Sequence, residues 1–378
     1  MSLKHTDLIK LAQILGYESV MDNGMCAGFS VMLSQAFLVQ QEQKFFDRLA
    51  LIESYKDEFY ALKKQLDEIA KKITYKVTLN SFEKKLLEIP AFFDGVALSH
   101  RPYKYSKLFE GQFITQNHHE RIYPFIASAE LEKGAPVSVH ASKNYIFNLA
   151  EAVIYFTALE YGLKESASIR PIWIRSNLHK IFVMYDNERK KWIYVDINRL
   201  GEELSNKYYF ELNSAQLVKQ LYRSFCCSEY SFIALNVTCI STSTNASDKS
   251  LFDFLDSIHL NVPKQTTRYS DAGVGLLYLA CIFGDLQLVR KLTKQDGINL
   301  NSAIKKGTTP LYIACRNGHI EIVQELLKHP DINVNSALDT GATPLYIACQ
   351  NGDAEIVKEL LKRPDINVNC AINTGTTP

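Results

Sequence analysis

The sequence predicts two architectures in succession: an α+β region of helices and an antiparallel sheet over residues 1–240, then an all-α solenoid over 271–378. Three observations predict this. Apolar residues recur at three- and four-residue intervals through the first third of the chain. β-branched and aromatic runs separated by turn residues take over between Ile169 and Ile240. Finally, the block "TPLYIACRNGHIEIVQELLKHPDINVN" (Thr309–Asn335) returns almost unchanged as Thr343–Asn369, an offset of 34 residues.

In chain order, "HTDLIKLAQILGY" has helical periodicity and Ala27 to about Gln40 reads as a second helix. Phe45, Leu49, Ile52, Phe59, Leu66 and Ile73 form an amphipathic stripe on one long helix or a helical pair, within a helical insertion at about 41–120. Lys56 and Lys63 interrupt the seam a coiled coil needs, which favours packing within the domain and a monomer. Pro102 and "TQNHHER" break the pattern, and a helix is expected again from Asn144 to Leu163. "IRPIWIRS", "HKIFVMYD", "KWIYVDIN" and "SFIALNVTCI" read as antiparallel strands. "STSTNASDKS" (Ser241–Ser250) is a polar linker, and "SLFDFLDSIHL" is expected to cap the solenoid within a 241–270 connection.

Composition narrows the function. With 47% hydrophobic and 22% charged residues the chain is that of a soluble globular protein, and 378 residues suit two or three domains. A net charge of +1 gives no overall argument for nucleic acid or an anionic membrane surface, and mixed runs such as "KKQLDEIAKK" read as solvated helix faces. No apolar stretch approaches the ~20 residues of a membrane span, and Asp7 and Lys10 spoil a signal peptide. The eight cysteines lack disulfide-scaffold spacing and suit a reducing compartment. Without Cys-x-x-Cys, His-x-x-x-His or a Gly-rich phosphate loop, neither zinc nor a nucleotide cofactor is expected.

The repeated block resembles the ankyrin repeat: Thr-Pro opens a first helix, Ala-Cys sits inside it, an Asn-Gly turn follows, and a Val/Leu-rich second helix ends the unit. A weaker copy, "LLYLACIFGDLQLVRKLTKQDGINLN", precedes the other two. The resemblance explains Cys281, Cys315 and Cys349 as small residues where inner helices stack. It makes Asn301, Asn335 and Asn369 braces between units, at a position host asparaginyl hydroxylases can modify in such repeats. It also implies a host protein partner bound on the concave surface. "TGTTP" (Thr374–Pro378) repeats the opening of a unit, so the array is expected to continue.

The chemistry-bearing candidates lie upstream. In "NGMCAGFSVML", Cys26 stands at a helix start between Gly24 and Gly28, where the helix dipole depresses a thiol pKa and an unpaired N–H can bind an oxyanion. In "HKIFVMYDNERKKWIYVDINRLG", an even turn centred on "DNERKK" pairs Asp186 with Lys191. That register puts Ile181 opposite Asp196 and His179 opposite Asn198. His179, Asp196 and Asn198 then share one strand face, with imidazole and carboxylate as diagonal neighbours, while Phe182, Met184, Ile193, Val195 and Ile197 form a buried opposite face. The order Cys, His, Asp resembles papain-like thiol enzymes, in particular the YopT and AvrPphB cysteine-protease effectors, with Gly24, Cys26, Ser30, His179, Asp196, Asn198 and Gly201 at matching places. Together with the repeats the chain resembles the ankyrin-repeat effectors of Legionella type. This resemblance implies a papain-like cysteine-protease-like domain with Cys26 as nucleophile, His179 as base and Asp196 as its orienter. The position of the family's oxyanion glutamine is Val20, so Asn23 or Ser19 is left to supply that donor, with Asn198 in support. It further implies secretion by a bacterial system into a host cell, acting in its cytoplasm or nucleus. The competing reading is a non-catalytic binding protein with a degenerate protease-like domain.

Overall fold

The computed structural model describes residues 3–17, 25–100, 138–164, 170–176, 179–200, 202, 208–225, 227, 231–241, 268–270 and 273–378. Among the described residues six helices precede the sheet: α1 (His5–Ile14), α2 (Met25–Leu38), α3 (Glu42–Ser54), α4 (Phe59–Thr74), α5 (Ser81–Leu86) and α6 (Glu88–His100). The long amphipathic stripe is thus a helical pair, α3 and α4, and its Phe45, Leu49, Ile52, Phe59 and Leu66 enter one core with α1, α2 and α6. Ile73, at the end of the stripe, stays exposed. α2 crosses α6 so closely that a Cβ on Gly28 would lie 2.5 Å from the Val96 carbonyl oxygen. Gly28 therefore serves helix packing, the absent side chain letting the two helices meet.

The sheet has the order β1-β6-β2-β3-β4-β5, antiparallel throughout: β1 (Ser138–Phe147), β2 (Ile172–Arg175), β3 (Lys180–Asp186), β4 (Lys191–Val195), β5 (Phe210–Leu212) and β6 (Ile233–Ser241). The expected helix at Asn144–Leu163 starts later, as α7 (Leu149–Lys164), because Asn144–Phe147 belong to β1. α8 (Ser214–Ser224) follows β5, capped by Asn213. In the β3–β4 hairpin Asp186 pairs with Lys191, Met184 with Ile193 and Phe182 with Val195, the register expected from the turn.

Both sheet faces are covered, so the hairpin has no open face of its own. Ile181, Val183, Tyr185, Trp192 and Tyr194 pack beneath α7 and α8. Phe182, Met184, Ile193 and Val195 pack under the N-terminal helices, with Phe37 and Phe182 stacked at 5.1 Å. Buried indoles fasten helices to strands: Trp173 Nε1 donates to Ser34 Oγ on α2 (2.9 Å) and Trp192 Nε1 to Ser214 Oγ on α8 (3.0 Å).

Three helical pairs complete the chain: α9 (Leu276–Phe283) with α10 (Leu286–Leu292), α11 (Pro310–Arg316) with α12 (Ile320–Leu327), and α13 (Pro344–Asn351) with α14 (Ala354–Leu361). Thr309 and Thr343 cap α11 and α13, each hydroxyl accepting a main-chain N–H at 3.2 Å, and proline occupies the first helical position. Cys281 and Cys315 are fully buried among the stacked inner helices, as the repeat pattern requires. The expected cap "SLFDFLDSIHL" lies outside the described residues. What the structure shows is the first pair packing on the sheet itself, with Ile146 of β1 and Ala234 of β6 in the core of the repeats. Around them Arg175 donates to Asn236 Oδ1 (2.7 Å) and Thr238 Oγ1 (2.7 Å) and stacks on Phe283 (4.3 Å), while Asn144 Nδ2 donates to Asp285 Oδ2 (3.0 Å).

Candidate active site

Local forces place three side chains at the end of the sheet. Ser30 and Ser34, one turn apart on the buried face of α2, hold that helix over β2 and β3: Ser30 Oγ donates to the Lys180 carbonyl (3.3 Å) and Ser34 Oγ to the Ser30 carbonyl (2.8 Å). This sets the first turn of α2, with Cys26 in it, beside the residues that begin β3. His179 immediately precedes that strand, its N–H held by Ser176 Oγ at 3.1 Å. Asp196 leaves β4 and caps a short 3-10 turn (Ile197–Arg199), accepting the Asn198 N–H at 2.9 Å.

The imidazole and the carboxylate meet as the hairpin register demands. His179 Nε2 donates to Asp196 Oδ1 at 2.8 Å, and the Asn198 side-chain amide lies 3.4 Å from the same nitrogen. Asp196 is 3% exposed, and its Oδ2 accepts from the Tyr194 hydroxyl at 3.2 Å. Nε2 is engaged by Asp196, and the ring bears on the nearby Cys26 thiol, with each group favouring the charged form of the other. Cys26 is half-buried, its flank packed on the helical core.

The electrostatics follow from this arrangement. Burial works to raise the Cys26 pKa, but the hydrogen bond and charge of His179, together with the main chain and ammonium of Lys180, outweigh it and hold the thiol below its usual value. Burial opposes charging His179, yet its bonds to Asp196 and Cys26 prevail and push the ring up to about 10. Asp196 is likewise held low despite burial, by His179, Ser224 and the Asn198 N–H. Burial drives the other thiols upward: Cys239 to about 11, and Cys281, Cys315 and Cys349 also above the normal range. The arrangement therefore favours a thiolate–imidazolium pair at Cys26 alone among these five.

The structure thus brings together Cys26, His179, Asp196 and Asn198, while Asn23 lies outside the described residues, as do Ser19, Val20, Gly24 and Gly201. Asn301 and Asn335 stand far off in the repeats. Asn301 Nδ2 donates to the Asp331 carbonyl (2.8 Å) and its Oδ1 accepts the Asn333 N–H (2.8 Å). Asn335 repeats this pattern on Asp365 (2.7 Å) and Asn367 (2.8 Å). These amides brace one unit to the next. Asn369 contributes its main-chain N–H to Asn367 Oδ1 at 3.0 Å.

Four residues at the site were missed. Tyr194 is two positions before Asp196 on one strand face, so alternation alone points to it. Lys180 breaks an otherwise apolar strand; it is buried, with Nζ 4.1 Å from the Trp173 ring centre, and burial with the nearby Arg175 charge holds its pKa well below normal. Ser224 and His5 carried no sequence signal. Burial, then the charge of His179, lowers the His5 pKa, and its Nε2 is buried without a partner among the described residues.

Comparison with known families defines one class. Residues 277–371 match the ankyrin repeats, described as three copies, an architecture that mediates protein–protein interaction. No curated protein matches the chain.

Proposed function

We propose that residues 1–240 form a papain-like cysteine hydrolase, a protease or amidase, brought to a protein partner by the ankyrin array. What supports this most is the His179–Asp196 hydrogen bond at 2.8 Å together with the influence of that ring on Cys26, the thiol it drives toward thiolate. In the proposed cycle the Cys26 sulfur attacks the carbonyl carbon of an amide, and the C=O π electrons move to oxygen. The tetrahedral adduct collapses as His179 gives its proton to the departing nitrogen, leaving a thioester on Cys26. His179 then takes a proton from water, hydroxide adds to the thioester carbonyl, and the acid leaves as the sulfur recovers its electron pair. Asp196 holds the ring in the tautomer and orientation that serve both steps. By the same resemblance the protein is a secreted bacterial effector acting inside a host cell, with a host protein on the concave face of the repeats.

The second reading, a binding protein without turnover, draws on the repeats, which are an interaction architecture whatever the thiol does. A mechanism-based epoxide probe separates the two. The hydrolase predicts stoichiometric alkylation of Cys26 that His179→Ala abolishes, and new peptide termini or deamidated side chains in a eukaryotic lysate treated with the wild type and not with Cys26→Ala. No alkylation and no new products would leave binding as the function.

A further inference from the structure

The surface carries one concentration of charge and apolar area that the proposed site does not use. Residues 71–85, "KKITYKVTLNSFEKK", run from the last turn of α4 through α5 and hold five lysines against one glutamate, whereas the whole chain has a net charge of only +1. Four large apolar side chains project from the same fifteen residues: Ile73 (50% exposed), Tyr75 (78%), Val77 (51%) and Phe82 (54%). The segment is folded around them. Lys76 takes a left-handed conformation (φ 57°), the Val77 N–H returns to the Lys72 carbonyl at 2.8 Å, and Asn80 closes a capping box on Glu83 at the start of α5. Lys72 pairs with Glu83 across the bend and Lys71 with Glu68. Lys76, Lys84 and Lys85 form no ion pair among the described residues and stand exposed beside the apolar tips.

From this juxtaposition we infer that the α4–α5 tip docks the protein on an anionic lipid surface. The lysines supply attraction to acidic headgroups, and Ile73, Tyr75, Val77 and Phe82 enter the boundary between headgroup and acyl chain. An ordered tip loses little conformational freedom on docking. Nucleic acid is the poorer occupant: the cations are all lysine, with no arginine to fork onto bases or phosphates, and exposed Ile73 and Val77 gain nothing from a phosphate backbone. The inference does not depend on Cys26 being catalytic.

The test uses the full chain and vesicles of phosphatidylcholine, alone or mixed with phosphatidylserine, in a flotation assay at low and high salt. Binding is expected to the anionic vesicles only, weakening with salt. Lys84→Ala with Lys85→Ala should reduce it roughly thirtyfold, at about fivefold per lysine. Ile73→Ser with Phe82→Ser should also release the protein, with an unchanged melting curve because both sites are exposed. Tyr75→Trp gives a direct report, since Trp173 and Trp192 are fully buried: its emission should shift to the blue on anionic vesicles. Equal behaviour on both vesicle types, or a tip tryptophan that keeps its aqueous emission, would overturn the inference. So would tight binding of an RNA or DNA oligonucleotide that Ile73→Ser and Phe82→Ser leave intact.

Discussion

Replacing Asp196 by Asn keeps the shape of the side chain and removes its charge, so it isolates what the carboxylate does for the sulfur. Asp196 Oδ1 receives His179 Nε2 at 2.8 Å and the Asn198 N–H at 2.9 Å, and Oδ2 receives Tyr194. A hydrogen bond to a charged group is worth about 1.5–3 kcal/mol. At about 1.4 kcal/mol per decade its loss lowers the thiolate–imidazolium population by roughly ten- to 150-fold. The assay is iodoacetamide labelling across a pH series, with each cysteine followed by mass spectrometry and Cys370 as internal reference. In the wild type, the thiol pKa is depressed and that of His179 stands at about 10. The ion pair therefore persists across neutral pH, and Cys26 labelling falls only in acid, below the depressed thiol pKa. Above about 10 the imidazolium loses its proton and the thiolate its partner. In Asp196→Asn the labelling near pH 6 should drop by the stated factor and climb with pH toward the range of an ordinary thiol, about 8.5. A variant that labels at the wild-type rate near pH 6, or a wild-type Cys26 no faster than Cys370, would refute the reasoning.

The other predictions concern packing and the neighbouring charge. Gly28→Ala should destabilise the N-terminal region by about 1–3 kcal/mol in urea melts, since its Cβ would meet Val96 backbone atoms at 2.5 and 2.6 Å; an unchanged midpoint would mean that α6 can move aside. Lys180→Met removes a buried ammonium beside the thiol, so Cys26 labelling near pH 6 should slow while thermal stability holds or rises; faster labelling would contradict the assigned influence of Lys180. Asn335→Ala loses two bonds between adjacent units and should cost about 1–2 kcal/mol, whereas Asn369→Ala should stay within about 0.5 kcal/mol. Equal effects in circular-dichroism melts would deny the bracing role.

What could be read from the chain depended on how local the determinant was. The β3–β4 register followed from one turn and strict alternation, and with it came the His179–Asp196 contact. The repeats were legible because Thr309–Asn335 and Thr343–Asn369 are nearly the same words. β1 was not legible, because Ser142 and Asn144, which should mark a solvent face, point into a buried polar network with Asn236 and Arg175. β5, at three residues, is too short for a period to show. Alternation identified an apolar face on the hairpin but could not reveal that the other face is covered too, since α7 and α8 arrive from elsewhere in the chain. The approach of Cys26 to His179 spans 153 positions and is set by Ser30, Ser34 and Trp173, none of which announces its partner in the sequence.

The seating of α9 on Ile146 and Ala234 ties the stability of the first repeat to that of the six-stranded sheet. Native-state hydrogen exchange should show it, with amides of α9 opening together with those of β1 and β6 and not before them.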